Sequence, residues 1–529
     1  MEGCNLHLAA RDTANLERAC TALRKTYGAD ATPHAADLAF ARASHVSGAV
    51  LIVDGGAGFR RWDSQSKEQL ITMSEQGQHQ VSEMMMQLSA YMAAAARKPL
   101  PVAVVEKAKH HIADTLAAII SGAKLLPGRR AVEFVKTQGG VKEACVMGSK
   151  VVTSAIHAAF ANGMSAHADE TDDSHQGGLF HPGCGVVPAA WATAERRRAS
   201  GRDLVRAVAL GYDVGARINM ALGGVKFLNA AHSSHTFGAL FGGAAAAGAL
   251  VRLDAKRMRF VLAYAAQQAS GISCWMRDPE HIEKAFDFGG MPARNAVYAA
   301  ALVEQGFTGV EDVFSGPRNF WVAYDGHVDT SHVARELGST FEIMRSNIKK
   351  WSVGSPIQPA LDALSTLIEK HQLRADDAER IRVQVQDSES YIVDDRDMPD
   401  ICMQHLIAVM LLDGKVTFKS SHDVRRMKDR KILGIRKRIE YLGSAELTRQ
   451  GGRQAIVEVW TRDGTQLKHH TPVVKGAWEN PMTRAEVDEK CFDLIAGVTG
   501  PKPARKLLDH IWNLERVPDV AALRPLLQA

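Results

Sequence analysis

Phe227-Leu-Asn-Ala-Ala-His232-Ser-Ser-His235-Thr-Phe-Gly-Ala-Leu-Phe-Gly-Gly-Ala-Ala-Ala-Ala-Gly-Ala-Leu-Val251 carries no Asp, Glu, Lys or Arg. An uncharged run of this length must first be weighed as a membrane span. It is rich in Ala and Gly, and two His and two Ser stand at its entry. A buried central helix with a polar start is the better reading. Small residues on such a helix let its neighbours approach closely, which points to a tight all-helical core. Outward from it the helical period continues. Val105, Ala108, Ile112, Leu116 and Ile119/Ile120 fall at helical spacing. Further helices are readable near 152–163, 201–221, 236–251, 255–271 and 290–305.

The period changes after about Thr340. Ile381, Val383 and Val385 alternate with Arg382 and Gln384, a strand pattern. Ala455 to Thr461 and Gln466 to His470 flank Arg462-Asp463-Gly464-Thr465, whose Asp-Gly suggests a hairpin turn. Helical character returns from Asn480-Pro481-Met482. The expected architecture is therefore mainly α: a discontinuous helical domain over 82–344 and 480–525, and a smaller α+β lid domain over 345–479. Residues 1–80 read as a separate extension, loosely docked or poorly ordered. Within it, His45-Val-Ser-Gly-Ala-Val-Leu-Ile-Val-Asp-Gly-Gly56 resembles the tail of short-chain dehydrogenases. The phosphate-binding Gly loop and the Tyr-x-x-x-Lys pair of that family are missing, so no nicotinamide chemistry is expected. A short apolar strand ending in Asp-Gly-Gly is the alternative reading.

The 529 residues are 46% hydrophobic and 23% charged with a net charge of +5, ordinary globular usage without a nucleic-acid footprint. Cys4, Cys20, Cys145, Cys184, Cys274, Cys402 and Cys491 are scattered and form no CxxC. That pattern fits a reduced, cytoplasmic setting and offers no local iron–sulfur motif. The N-terminal residues lack an apolar signal core.

Candidate chemistry lies in three places. His167-Ala-Asp169-Glu170-Thr-Asp172-Asp173-Ser174-His175, followed by His181-Pro182-Gly183, packs carboxylates and imidazoles together. Proton transfer needs that mixture, one group accepting and another orienting or donating. A solvated acidic loop or a metal site are the other readings, although no ordered ligand spacing such as HExxH appears. His232-Ser-Ser-His235-Thr236 precedes the Ala/Gly helix. A polar helix start can hold a carboxylate or oxyanion, or can simply be a cap with a core His. Lys284 and the Lys349-Lys350 pair are the third group. Lone lysines are usually surface groups, but a polycarboxylate demands fixed cations to replace its hydration.

The order of blocks resembles the MmgE/PrpD family, which includes 2-methylcitrate dehydratases, cis-aconitate decarboxylases and an iminodisuccinate epimerase. The blocks are Asn162-Gly163, His167-x-x-Glu170-x-Asp172-Asp173, His181-Pro182, Gly211-Tyr-Asp-Val214 with Arg217, Gln268-Ala-Ser-Gly271, Gly306-Phe-Thr-Gly309, Ile348-Lys349, Leu361-Asp362-Ala363, Leu412-Asp413-Gly414 and Asn480-Pro481-Met482. Their collinearity, rather than any one of them, carries the resemblance.

The resemblance implies a homodimer with a site between the helical and α+β domains, needing neither metal nor organic cofactor. It implies a small polycarboxylate as partner, and no nucleic acid or membrane. By position it implies Glu170, Asp172, Ser174, His181, His232 and His405 as catalytic residues and Lys284, Lys349 and His235 as substrate-binding residues. His232 matches a site His only with a one-residue gap, and His235 is the alternative. His405 falls where decarboxylase members carry Tyr, and Gly354 where they carry His. Those departures argue against cis-aconitate decarboxylation and leave the exact substrate open; the favoured reading is a hydro-lyase that removes an α-proton and eliminates a β leaving group. An epimerase, a decarboxylase, or a non-catalytic carboxylate binder are the alternatives. His181, His232 and Lys284 are expected to converge on one cleft.

Overall fold

The computed structural model describes residues 6–10, 21, 25, 31–35, 80–324 and 328–529. The chain divides into two compact units, Met1–Gln80 and Val81–Ala529. In the first, β1 (Leu6–Ala10) pairs in parallel with β2 (Ala31–Ala35), Leu6 opposite Ala31. The dehydrogenase-like stretch His45–Gly56 lies outside the described residues.

The second unit is mainly helical with a smaller α+β lobe. Its longer helices begin with α1 (Glu83–Ala95), α2 (Val102–Gly122), α3 (Leu126–Gln138), α4 (Ala155–Ala166) and α5 (Pro182–Arg197). They continue with α6 (Gly201–Ala221), α7 (Ser234–Leu250), α8 (Ala255–Gln268) and α9 (Met291–Glu304). Most of the uncharged run Phe227–Val251 forms α7, buried almost throughout and packed against α5, α6 and α9. Among the described residues no helix is long and apolar enough to cross a membrane.

Glycine sets the closeness of that packing. A Cβ on Gly242 of α7 would lie 2.3 Å from the Gly211 carbonyl of α6, and one on Gly211 would lie 2.8 Å from the Gly242 carbonyl. The two backbones touch where side chains would otherwise hold helices 8–10 Å apart. A second reciprocal pair does the same beside the site. A Cβ on Gly163 of α4 would overlap the Gly289 carbonyl, and one on Gly289 would overlap the Gly163 carbonyl. Gly289 belongs to a π-helical turn, Phe286–Gly290, that feeds α9. Turns of this type recur at functional sites.

The smaller lobe packs α10 (Gln358–His371) and α11 (Met403–Asp413) with a four-stranded sheet. Its strands are β3 (Ala378–Gln386), β4 (Ile439–Ser444), β5 (Ala455–Thr461) and β6 (Gln466–Thr471), in the order β6-β5-β3-β4. Only β3–β4 is parallel. Ile381, Val383 and Val385 are buried as their alternation requires. The β5–β6 hairpin turns through Arg462–Thr465, with Gly464 at φ 86° and Asp463 accepting from the Thr465 N–H. After it the chain returns to the helical lobe. α12 (Arg484–Thr499) packs on α2, and α13 (Pro501–Trp512) follows it.

Candidate active site

α4 ends at Ala166, and the chain then runs through a buried loop to α5. The loop is pinned by its neighbouring aspartates, which turn in different directions. Asp173 faces the core. It accepts from the Gly183 N–H (2.8 Å) and from Tyr212 Oη (2.5 Å), and His111 Nδ1 stands 2.6 Å away. Lys490 of α12 also holds the loop, donating to the Thr171 carbonyl and to Asp114. Asp172 faces the site. His167 Nδ1 is 2.9 Å from one of its oxygens and His181 Nδ1 is 3.0 Å from the other. Burial would raise the Asp172 carboxyl, but the two imidazoles hold it well below the usual range. An ionised carboxylate only accepts, so both Nδ1 atoms donate, and in the neutral ring each Nε2 is left as an acceptor.

Glu170 lies between two ammoniums. Lys284 Nζ pairs with Oε1, and Lys349 Nζ lies 3.2 Å from Oε2 and 2.8 Å from the Glu170 carbonyl. Burial pushes this carboxyl up, yet Lys284 and Lys349 hold it well below its ordinary value. Lys349 is also 3.9 Å from Asp172. Paired cations in a water-poor setting act far more strongly than on a surface.

Aromatic rings close the site. Phe288, on the π-helical turn, stacks on His235 (3.6 Å between centroids) and on His167 (4.2 Å). Lys284 Nζ stands 5.6 Å from the Trp275 ring and 5.3 Å from Phe288. His281, three residues before Lys284, brings its ring within 5.1 Å of His167. Burial keeps His167 low, and holds His235 and His281 well below their ordinary values, with Lys284 adding to the effect on each. The side chains of His181 and Lys284 retain 12% and 20% exposure, so the cluster opens to solvent on their side.

Glu170, Asp172, His181, His235, Lys284 and Lys349 thus share one cluster. Ser174 pairs through its backbone with Asn347, and its Oγ accepts from Asn347 Nδ2 at 3.5 Å. It lines, with Lys349, Arg453 and Lys475, a groove facing the smaller lobe. Two placements differ from expectation. His232 stacks on Phe227 (4.5 Å) and meets Tyr324 edge-on, and it is His235 that faces His181 at 5.4 Å. The reason is local: His232 is in an extended bridge to Ile272 before the Ser233 cap, whereas His235 lies in the first turn of α7. The expected convergence of His181, His232 and Lys284 therefore becomes one of His181, His235 and Lys284. His405 is fully buried on α11, and no hydrogen bond, ion pair or ring contact joins it to the cluster. Burial, then Arg436 and Arg426, bring it down to about 4.

Sequence reading had not singled out His281, Phe288, Trp275 or His422. His281 and Phe288 flank Lys284 within one turn, so the local spacing was a usable signal. His422 comes from the smaller lobe, with Nε2 2.8 Å from Asp169, and Ser421-His422-Asp423 has no distinguishing pattern.

Two donor sets approach metal-binding spacing: His167, Glu170 and His281, and His167, Asp172 and Cys184. Neither suits a divalent cation. Glu170 already faces two ammoniums. The buried Cys184 thiol is pushed well up, and its Sγ bonds to the carbonyls of His181 and Phe288. A thiolate is what a metal needs.

A helical lobe that encloses an imidazole–carboxylate–ammonium cluster, with an α+β lobe contributing a groove beside it, is a scaffold suited to acid–base chemistry. The chain belongs to the MmgE/PrpD family: residues 86–332 match its N-terminal domain and 351–516 its C-terminal domain. It is similar to the cis-aconitate decarboxylase of Aspergillus terreus, 22% identical over 81% of this chain and 92% of that protein. It is also similar to the cis-aconitate decarboxylase-like protein oryM of Aspergillus oryzae, 23% identical over 81% of this chain and 94% of that one.

Proposed function

We propose that this protein is a lyase that removes the elements of water from a small di- or tricarboxylate such as 2-methylcitrate, using its own side chains and no resident metal or organic cofactor. The observation that carries the reading is the Asp172–His181 pair set beside Lys284 and Lys349. Asp172 fixes the His181 tautomer, so Nε2 presents a lone pair at the edge that opens to solvent. Substrate carboxylates exchange with Glu170 for the two lysines. His181 Nε2 takes the proton alpha to a carboxylate, and the lysines stabilise the charge that moves onto that carboxylate. The electron pair then forms the carbon–carbon double bond as the β carbon–oxygen bond breaks, and the departing oxygen takes the proton that His181 has just accepted, directly or through His235, and leaves as water. In this reading His235, stacked on Phe288 and facing His181, is the second proton carrier.

Decarboxylation is the second reading, favoured by the names of the two relatives. There a carbon–carboxylate bond breaks first and a histidine returns the proton to carbon, so the same groups serve. His405 and Gly354, at positions where the decarboxylases of the family carry Tyr and His, place this reading second. The test is incubation with 2-methylcitrate, citrate and cis-aconitate in D2O, followed by proton NMR. Loss of water, with deuterium at the alpha carbon of the hydroxy acid that remains, supports the lyase. Carbon dioxide from cis-aconitate supports the second reading. Deuterium uptake with no net product would point to an epimerase, and no change in any acid to a carboxylate-binding protein. A homodimer is the proposed assembly.

A further inference from the structure

His281 is unusual on three counts. It adopts a left-handed backbone, φ 61° and ψ 14°, which a residue with a Cβ holds only where its surroundings impose it. It begins the short helix Ile282–Ala285 that carries Lys284, yet its side chain caps nothing there. And its Nε2 is buried without a partner, as is Nε2 of His167. A buried imidazole nitrogen left unpaired is costly unless something is meant to meet it.

What it would meet follows from the surrounding donors and acceptors. One polar atom each of His167, Glu170 and His281 lie within 4.8 Å of one another. Atoms gathered that closely can all be within hydrogen-bond reach of one oxygen set between them. Glu170 is ionised and only accepts. His167 donates through Nδ1 to Asp172, so its Nε2 only accepts. Two acceptor corners repel a carboxylate, and the ammoniums of Lys284 and Lys349 on Glu170 repel a cation. A neutral O–H group fits: it donates to one acceptor and, with His281 protonated on Nε2, accepts from that nitrogen.

We infer that His281, His167 and Glu170 form a subsite for the hydroxyl group of a hydroxy acid, set beside the lysines that hold its carboxylates. The inference rests on the reading of this cluster as a site for small carboxylic acids. It deepens that reading by giving the leaving oxygen a place, and by making His281 a substrate-contacting residue.

The test compares acids that differ by one hydroxyl: citrate against tricarballylate, and malate against succinate. Binding is read in stopped flow from tryptophan fluorescence, because Trp275 stands over Lys284. The wild-type chain should prefer the hydroxylated member of at least one pair about tenfold, the worth of one well-made buried hydrogen bond. In His281→Asn, which tolerates the left-handed backbone, that preference should shrink to within about threefold while the deoxy acid binds as before. His281→Gly, which releases the backbone, should behave alike. An unchanged preference in both variants, or none in the wild type, overturns the subsite. So does stoichiometric metal in the purified wild type that His281→Asn loses. If the NMR assay shows turnover while the hydroxyl preference is absent, the subsite alone fails. If no acid binds or turns over, both readings fall.

Discussion

Glu195 and Glu170 are both buried carboxylates in the helical lobe, and they live in opposite surroundings. Glu195 is fully partnered. It accepts from the Cys145 N–H (3.1 Å), Trp191 Nε1 (3.0 Å) and Arg524 Nε (2.9 Å), which ties α5 to the C-terminal segment. Around Glu170 the lysines are paired, but His167 and His281 leave nitrogens unmet and the cluster opens past His181 and Lys284. Saturated polar contacts hold a fold together. Around Glu170 the unmet nitrogens lie beside an opening and paired cations, where an incoming group can reach them.

If that contrast is right, substitutions should separate activity from stability. His181→Ala should lower kcat by about 10²–10⁴-fold, the usual effect of losing a general base. Its thermal midpoint should move little, because the ring is a partner of Asp172 that His167 still satisfies. A large loss of stability with little change in kcat would place His181 with Glu195 instead. Glu195→Ala should cost about 3–5 kcal/mol in chemical denaturation, since it strands Arg524 and a buried backbone N–H. The fraction that remains folded should turn over normally.

Lys284→Ala should raise KM, lower kcat, or both, by about ten- to a hundredfold, according to whether its charge acts on the bound acid or on the transition state. Because Glu170 keeps Lys349, its folding should suffer less than that of Glu195→Ala.

His422 offers a pH test. Burial opposes its charge, but Asp169 and Asp400 raise it to about 9. A folded value above the unfolded one means the pair stabilises fully below about pH 6.5 and loses that contribution as pH rises through about 9. His422→Gln should therefore flatten the fall in stability between those limits, by an amount on the order of 1–3 kcal/mol. Equal slopes in the two proteins would remove His422 from the link to the site loop.

The smallest effect is expected at His232. Its ring stacks on Phe227 away from the cluster, so His232→Ala should change kcat by less than about threefold, within the range of a packing change. A loss comparable to that of His181→Ala would restore it to the site.

Much of this was legible beforehand, for identifiable reasons. The alternation of Ile381, Val383 and Val385 reports a face of a sheet directly, and Asp463-Gly464 reports its turn. The density of His and carboxylate between His167 and His181 marked the loop. What the sequence left open concerns direction. His232 and His235 are three residues apart, and only the position of the Ser233 cap decides which one enters a helix and faces His181. His405 sits on an apolar helix, and its period alone gives burial without saying which cavity it borders. His281 depends on a left-handed backbone and His422 on a contact between lobes. Neither property is local enough to read in one dimension.

The central claim is that His181 moves a proton at the carbon alpha to a carboxylate while Lys284 and Lys349 hold the charge. Its most direct measurement is deuterium incorporation, followed by proton NMR in D2O, for wild type and His181→Ala under the same substrate panel. The account predicts loss of water from one of the hydroxy acids by the wild type, with solvent deuterium at the alpha position of the remaining acid. In His181→Ala both signals should fall together by at least about a hundredfold while the acid still binds. Incorporation at an undiminished rate in His181→Ala would contradict it.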